Sequence, residues 1–522
     1  MKYPHSSVCN APFLPELYAF IESRAKQGDG LAKWKLAMAA MDGRLDSASY
    51  PKALEHLKEA RRAGIATAAF YMSEILRESL TGESYTHEDI RTLLAEGAKA
   101  GHARAQMARG LMLLRCPRQA LDEAVAYHYL RLAAWNGLSE AGFYLLYLRE
   151  IGGAPGLSKG EVLLYLDVLA APANYHADWV RLNYRMTMGA GLVDPDHYEK
   201  LRKTYAEAGV KSAIYSIIHG QLAYEPDYAV VEDRFMELLE AGEPEALYFQ
   251  GRRLLSFRAN EAATCQLGID SLQRARALGY WPADLELAGY YSSRGEWAKA
   301  LALLDGLWYL GLVEGVASLR SQIASQMLEA NKTWDPALVA RIEASALFDQ
   351  DSLWTLARLC SGQVGFPRQK EEHFFYLVLA AQEGCVIAVR ILALELMDLS
   401  IRDYEALALR LLECAALHED VLACALLGDC YAVRKHRIPN PRVSYRWYLK
   451  GAKLGYDYCM ERVIRCQQLG LGVEPDESVL QYWSEALAQK KKTRGPSAGC
   501  SDSQKTNREH HAQIIPFAKT RG

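Results

Sequence analysis

A phrase of the form Ala-Ala-x-x-Gly-x-x-x-Ala recurs along the chain, and nothing else in the sequence limits the fold as strongly. It reads AKAGHARA at 98–105, AAWNGLSEA at 133–141, AEAGVKSA at 206–213, AAQEGCVIA at 380–388 and GAKLGYDYC at 451–459. Aligning these on their last residue yields thirteen anchors: Ala32, Ala68, Ala105, Ala141, Ala177, Ala213, Ala246, Ala283, Gly315, Ser352, Ala388, Ala423 and Cys459. Successive anchors lie 32 to 37 residues apart and all are small. Four residues before the anchor, ten of the thirteen positions are Gly; Ala173, Phe348 and Glu419 depart. A Gly that closes an apolar-periodic stretch is selected by the left-handed helix C-terminus, where a Cβ clashes. Each Gly is therefore expected to end one helix and each anchor to open the next. Self-similarity at this period predicts stacked helix pairs, not the three or four globular domains that 522 residues would otherwise suggest.

Other residues keep the same register. Four positions after the anchor come Leu36, Met72, Leu145, Leu287, Leu319, Leu356, Leu392, Leu427 and Val463, so a small residue and a large one share a helix face. Seven positions before the Gly come Leu57, Leu94, Leu130, Leu166, Phe235, Leu272, Leu304, Leu377, Leu412 and Tyr448, the apolar stripe of a second helix; Arg202 and Arg341 are exceptions. Ten prolines, Pro51, Pro195, Pro336 and Pro441 among them, fall between the first and second helix of a repeat, and none needs a helix interior. The fold class expected is all-α, an α/α solenoid (right-handed superhelix) of about thirteen helix-turn-helix repeats of ~36 residues. Residues 1–31 hold an N-terminal segment with a capping helix at Phe13 to Gln27, 32–489 the solenoid, closed by a helix at about Glu477 to Gln489, and 490–522 a basic tail expected to be disordered.

Composition narrows the class of partner. Half the residues are apolar and 24% charged, enough for a packed core. Sixty basic residues against 63 acidic ones leave a net of −3, which removes any whole-chain argument for nucleic acid or an anionic membrane. The N-terminus lacks a secretory apolar core, and the longest wholly apolar run, Phe374 to Ala381, is far below the ~20 residues of a membrane span. Eleven cysteines without a CxxC pair suit a reducing compartment. A cytoplasmic location is expected unless a dedicated system exports the protein.

One stretch resembles a known family closely. Ala423, Leu427, Gly428 and Tyr431 precede Trp447, Tyr448, Lys450, Ala452 and Gly455; then come Gly470, Gly472, Val473 and Asp476, followed by Tyr482 and Trp483. This order is similar to the Sel1-like repeat, a relative of the tetratricopeptide repeat with a longer and more variable period. Elsewhere the pattern is degenerate but in register, with Gly110, Gly251, Ala288 and Ala357 as small residues five after the anchor and Leu146, Leu182, Ile218 and Arg320 departing from it. The resemblance implies an adaptor or scaffold; bacterial proteins of this kind look like assembly factors, secretion-linked proteins or inhibitors.

Three other constellations invite chemistry. Aromatic residues stand two after the anchor at Trp34, Phe70, Phe143, Trp179, Tyr215, Tyr248 and Trp354, where packing is expected before ligand stacking. Cys414, Cys424, Cys430, Cys459 and Cys466 suggest zinc, but Cys430 and Cys466 occupy equivalent sites in adjacent repeats, about one helix diameter (~10 Å) apart. Buried small hydrophobes are the expectation there. The tail, with Lys490, Lys491, Lys492 and Arg494 and a later Ile514-Ile515-Pro516-Phe517 cluster, reads as a solvated arm or as a hook that docks on a partner or on the array.

No phosphate loop, nucleophile elbow or HExxH motif is present. The function expected is a non-catalytic scaffold or adaptor binding a protein partner on the concave face of the superhelix, with no cofactor, metal, nucleic acid or small-molecule substrate. The alternatives are an immunity or inhibitory protein that occludes a toxin or effector, and an enzyme with a site between repeats. Polar residues six after the anchor are the candidate partner-binding positions: Asn183, His219, Arg252, Arg358, Asp429 and Arg465.

Overall fold

The structure, a computed structural model, describes residues 15–42, 49–78, 85–115, 122–138, 140–142, 144–145, 148, 195–220, 229–257, 262–362, 364–398, 402–432 and 439–493. Every regular element among these residues is a helix. All ten register glycines adopt φ between 72° and 96°. Glu419, one of the three departures, takes the same left-handed turn at φ 66° despite its Cβ.

Helix starts follow from local chemistry. An Asp three before the anchor accepts from the anchor's own N–H at Asp29 (2.9 Å), Asp349 (2.9 Å) and Asp420 (2.8 Å), which satisfies one of the donors a helix N-terminus leaves open. Thr86 and Asp89 form a reciprocal capping box at the start of helix His87–Lys99. Pro51, Pro282, Pro336 and Pro441 occupy the first turns of their helices.

Helices alternate as the register requires. First helices include Gly30–Met41, Ala68–Arg77, Ala103–Arg115, Pro282–Ser293 and Val421–Ala432, and second helices include Tyr50–Arg62, His87–Lys99, Asp122–Trp135 and Pro441–Lys453. Every described anchor but one is fully buried, as are the second-helix residues Leu57, Leu130, Leu272, Leu304, Leu377 and Leu412. Neighbouring repeats are tied at separations close to one period: Arg61 to Glu96, Lys211 to Glu243, Tyr376 to Glu343 and Arg390 to Asp420.

The exception is Gly315, which is exposed while Val316 and Ala317 are buried. In this repeat the packed face is shifted by one residue, so Ser321 takes the small slot and Arg320 does not. Arg320 instead donates to Asp305 (2.8 Å) and lies over Trp308, and Arg341 donates to the other Asp305 oxygen (3.0 Å). Two departures from the sequence pattern thus meet at one carboxylate. Burial pulls the Arg320 guanidinium below its usual value, against the pull of Asp305.

The chain divides into two compact units between Ala380 and Ala381. Helix Pro15–Lys26 packs on Gly30–Met41 at the start of the first unit. In the second unit the last helix runs Glu477–Thr493, past the boundary expected at 490; Lys490 pairs with Asp457 (2.8 Å) and donates to the Gly455 carbonyl, and Lys491 pairs with Glu461. The remainder of the expected tail, and the anchor Ala177 with its neighbours, lie outside the described residues. No helix among the described residues is long and apolar enough to cross a membrane.

Candidate protein-interaction site

Within the first unit, repeats far apart in sequence touch. The Gln106 side-chain amide, fully buried, donates to the Gly311 carbonyl (2.8 Å), and Asn136 donates to the same oxygen (2.8 Å) and to Gln106 (2.9 Å). Asn136 Oδ1 accepts from the Gly315 N–H (3.1 Å), at the first turn of helix Val313–Asn331. Glu314 accepts from the Ala103 N–H (3.0 Å), at the first turn of helix Ala103–Arg115. Each turn therefore caps a helix of the other. A second such contact joins the N-terminal helix to helix Lys370–Gln382: Arg24 forms a bidentate pair with Glu372 (3.1 and 2.9 Å) and lies over Phe375, while Phe20 meets Phe374 edge-on. An array in which each repeat contacts only its neighbours has no such bonds.

The same unit holds a cleft of about 1120 Å³. Tyr127, Arg131 and Trp135, spaced by four on helix Asp122–Trp135, present one face to it; Lys211, Glu243, Glu245 and the turn Leu278 to Trp281 supply other walls. Trp135 contacts Tyr280 (5.4 Å) and Trp281 (6.0 Å), and His128 meets Trp281 edge-on (5.8 Å). Trp135, Tyr280 and Trp281 are only half-buried. Behind them Tyr280 continues to Tyr248, Phe249 and Tyr215, which pack inside the array. Of the described aromatic residues two after the anchor, Trp34, Phe70, Tyr215 and Tyr248 are buried and pack in the array, and Trp354 is half-buried. Of the rings that line the cleft, Tyr127 and Trp135 stand on helix Asp122–Trp135, and Tyr280 and Trp281 in the turn.

The second unit shows what the quoted motif does. The Gly428 position admits no Cβ because the Tyr448 ring lies against it, and Ser444 donates to the Gly428 carbonyl (2.7 Å). Gly470 and Gly472 both take positive φ in the loop between two helices, Gly472 against the Pro441 carbonyl, and Asp476 at the loop's end caps the last helix through Ser478 (2.9 Å). Small residue, aromatic partner and glycine loop with its acid are thus one packing device. The residues that resemble the Sel1-like repeat are the ones this device joins.

No protein-family profile matches the sequence. An uncharacterized protein of Neisseria meningitidis serogroup B is 28% identical over 217 residues, 40% of this chain and 44% of that protein, so the chain spans less than half the length of this relative. Among solved structures, the chain is similar to c5321, a protective antigen of uropathogenic Escherichia coli displaying an SLR fold (14% identity, 96% of this chain and 94% of that one, TM-score 0.34). It is also similar to a Sel1 repeat protein from Oxalobacter formigenes (16% identity, 55% and 99%, TM-score 0.31) and to yeast Tom70 (12% identity, 90% and 97%, TM-score 0.29).

Of the six polar positions six after the anchor, three have partners within the array. Arg252 pairs with Glu286 of the next repeat (3.0 Å), and Arg358 donates to Glu329 (2.5 Å) and Ser325 (3.1 Å) of the preceding one. Asp429, expected to be exposed, is buried in the second unit, accepting from Tyr448 (2.5 Å) and Tyr458 (2.8 Å). Burial beside this carboxylate pushes both phenols up. At Arg252, Arg358 and Asp429 the side chain meets a neighbouring helix of the array, and its charge is used there. Arg465 is exposed, His219 lies on helix Lys211–Gly220, and Asn183 is outside the described residues. The cysteines behave as small hydrophobes: Cys414, Cys424, Cys459 and Cys466 are buried, and burial pushes the Cys424 thiol up to about 11 and the half-buried Cys430 thiol up to about 12.

Proposed function

We propose that the protein is a non-catalytic scaffold of the cytoplasm that binds a protein partner, and that the cleft of the first unit is its main contact surface. The observation that carries this reading is the set of half-buried rings at Trp135, Tyr280 and Trp281 beside charged residues, in a cleft of about 1120 Å³. Aromatic anchors within a polar rim are the composition of interface hot spots. The volume exceeds the ~300–1,000 Å³ usual for small-molecule pockets and suits a polypeptide segment.

The test is photo-crosslinking in the native host with a photoreactive residue at Arg131, in the cleft, or at Tyr309, which is exposed elsewhere in the unit. A discrete crosslinked partner from position 131, absent from position 309 and lost in Trp281→Ala, supports the reading. Crosslinking from 309 alone, or from 131 undiminished by Trp281→Ala, contradicts it.

A further inference from the structure

We infer that the occupant of this cleft is an acidic, apolar peptide segment, with a large apolar side chain against Trp135, Tyr280 and Trp281 and a carboxylate at Arg131; this rests on the reading of the cleft as a protein-binding surface. Charge and shape decide the occupant. Lys211 is neutralised by Glu243 (2.6 Å), and Glu245 has interactions of its own. Arg276, close by on helix Ala262–Ala277, is held by Asp284 (2.5 Å). Arg131 is exposed, and no ion pair joins it to an acid among the described residues. His128, one turn before it on the same helix and edge-on to Trp281, adds no charge at neutral pH, because partial burial and then Arg131 itself push its imidazole below the ordinary value.

Among the described lining residues, Arg131 is thus the one charged side chain that has no hydrogen-bond or ion-pair partner there, and its charge is positive. Four residues away on the same helix face, Trp135 begins the aromatic wall, with Leu145 and the exposed Leu278 extending the apolar surface. A segment that places an aliphatic or aromatic side chain next to Asp or Glu satisfies both features at once. A basic segment would set its cation against Arg131 and bring nothing to neutralise it.

The experiment measures fluorescence anisotropy of short labelled peptides on the full chain. One peptide alternates leucine and phenylalanine with glutamate, and its counterpart carries lysine in place of glutamate. At low salt the acidic peptide is expected to bind roughly three- to tenfold more tightly, as one exposed ion pair and its repulsive counterpart allow, with the difference shrinking at high salt. Arg131→Glu, a change at an exposed site, should reverse the order while leaving the unfolding temperature unchanged. Equal binding of both peptides, abolished by Trp281→Ala, would overturn the acidic occupant and leave the cleft as a binding surface. An acidic preference that survives Arg131→Glu, or no binding of either peptide, also overturns it, whereas the cleft reading stands or falls by crosslinking from position 131.

Discussion

The Asn136 side-chain amide donates to the Gly311 carbonyl at 2.8 Å, joining residues 175 apart in sequence. With Asn136 Oδ1 receiving the Gly315 N–H, a single side chain bridges the last turn of one helix to the first turn of another. Asn136→Ala leaves Gly311 with Gln106 as its remaining side-chain donor and leaves the Gly315 N–H without its cap. Because Asn136 is buried, the expected cost is about 1–3 kcal/mol in denaturant unfolding. A change below ~0.5 kcal/mol would show that the contact does not stabilise the first unit.

Glu419 gives the register its own test. It holds φ 66° where ten other repeats use Gly, a conformation that costs a Cβ-bearing residue roughly 1–2 kcal/mol. Glu419→Gly should therefore stabilise the second unit by about 1 kcal/mol, and Gly384→Glu, at the equivalent position, should destabilise it. Thermal unfolding in which Glu419→Gly is neutral or harmful would contradict the common turn geometry.

Period and helix ends were legible because they depend on chemistry within a few residues: a Gly in the left-handed turn, a Pro in a first turn. The out-of-order contacts were not. Asn136 and Gln106 occupy ordinary slots, and what makes them contacts is Gly311, placed there by several intervening repeats. One signal existed: the slot after the anchor is buried and apolar at Ile214, Leu247, Leu353 and Val389, but Gln stands there at 106. A buried polar group requires a partner, yet the pattern cannot say which. The candidate positions Arg252, Arg358 and Asp429 have nearer partners, Glu286, Glu329 and Tyr448, which lie about one repeat away or less.

Glu314 predicts a pH dependence. Burial raises its carboxyl above the ordinary value, outweighing the Ala103 N–H bond and nearby Arg104. For a raised acid the protonated form is favoured in the folded state, so its contribution to stability is full below the unfolded value of about 4.3 and is lost as pH rises through the folded value. Glu314→Gln keeps an acceptor for Ala103 without the buried charge. At pH 7 it should be at least as stable as the wild type, and that advantage should shrink as the pH falls towards 4. Unfolding temperatures measured in parallel decide this; an advantage that grows on acidification would contradict it.

The central claim is that repeats of the first unit meet out of sequence order, and a distance measures it. Nitroxides carried on non-natural amino acids at the exposed residues Lys99 and Ser318 flank the turns at Gly101 and Gly315. Pulsed electron paramagnetic resonance on the full chain should return a short separation, set by the labels and the touching turns. If repeats contacted only their neighbours, six intervening steps of roughly 10 Å would place the labels on the order of 60 Å apart. A narrow, short distribution is the predicted result, and it should broaden or lengthen in Asn136→Ala. A distribution centred near ~60 Å in the wild type would contradict the account.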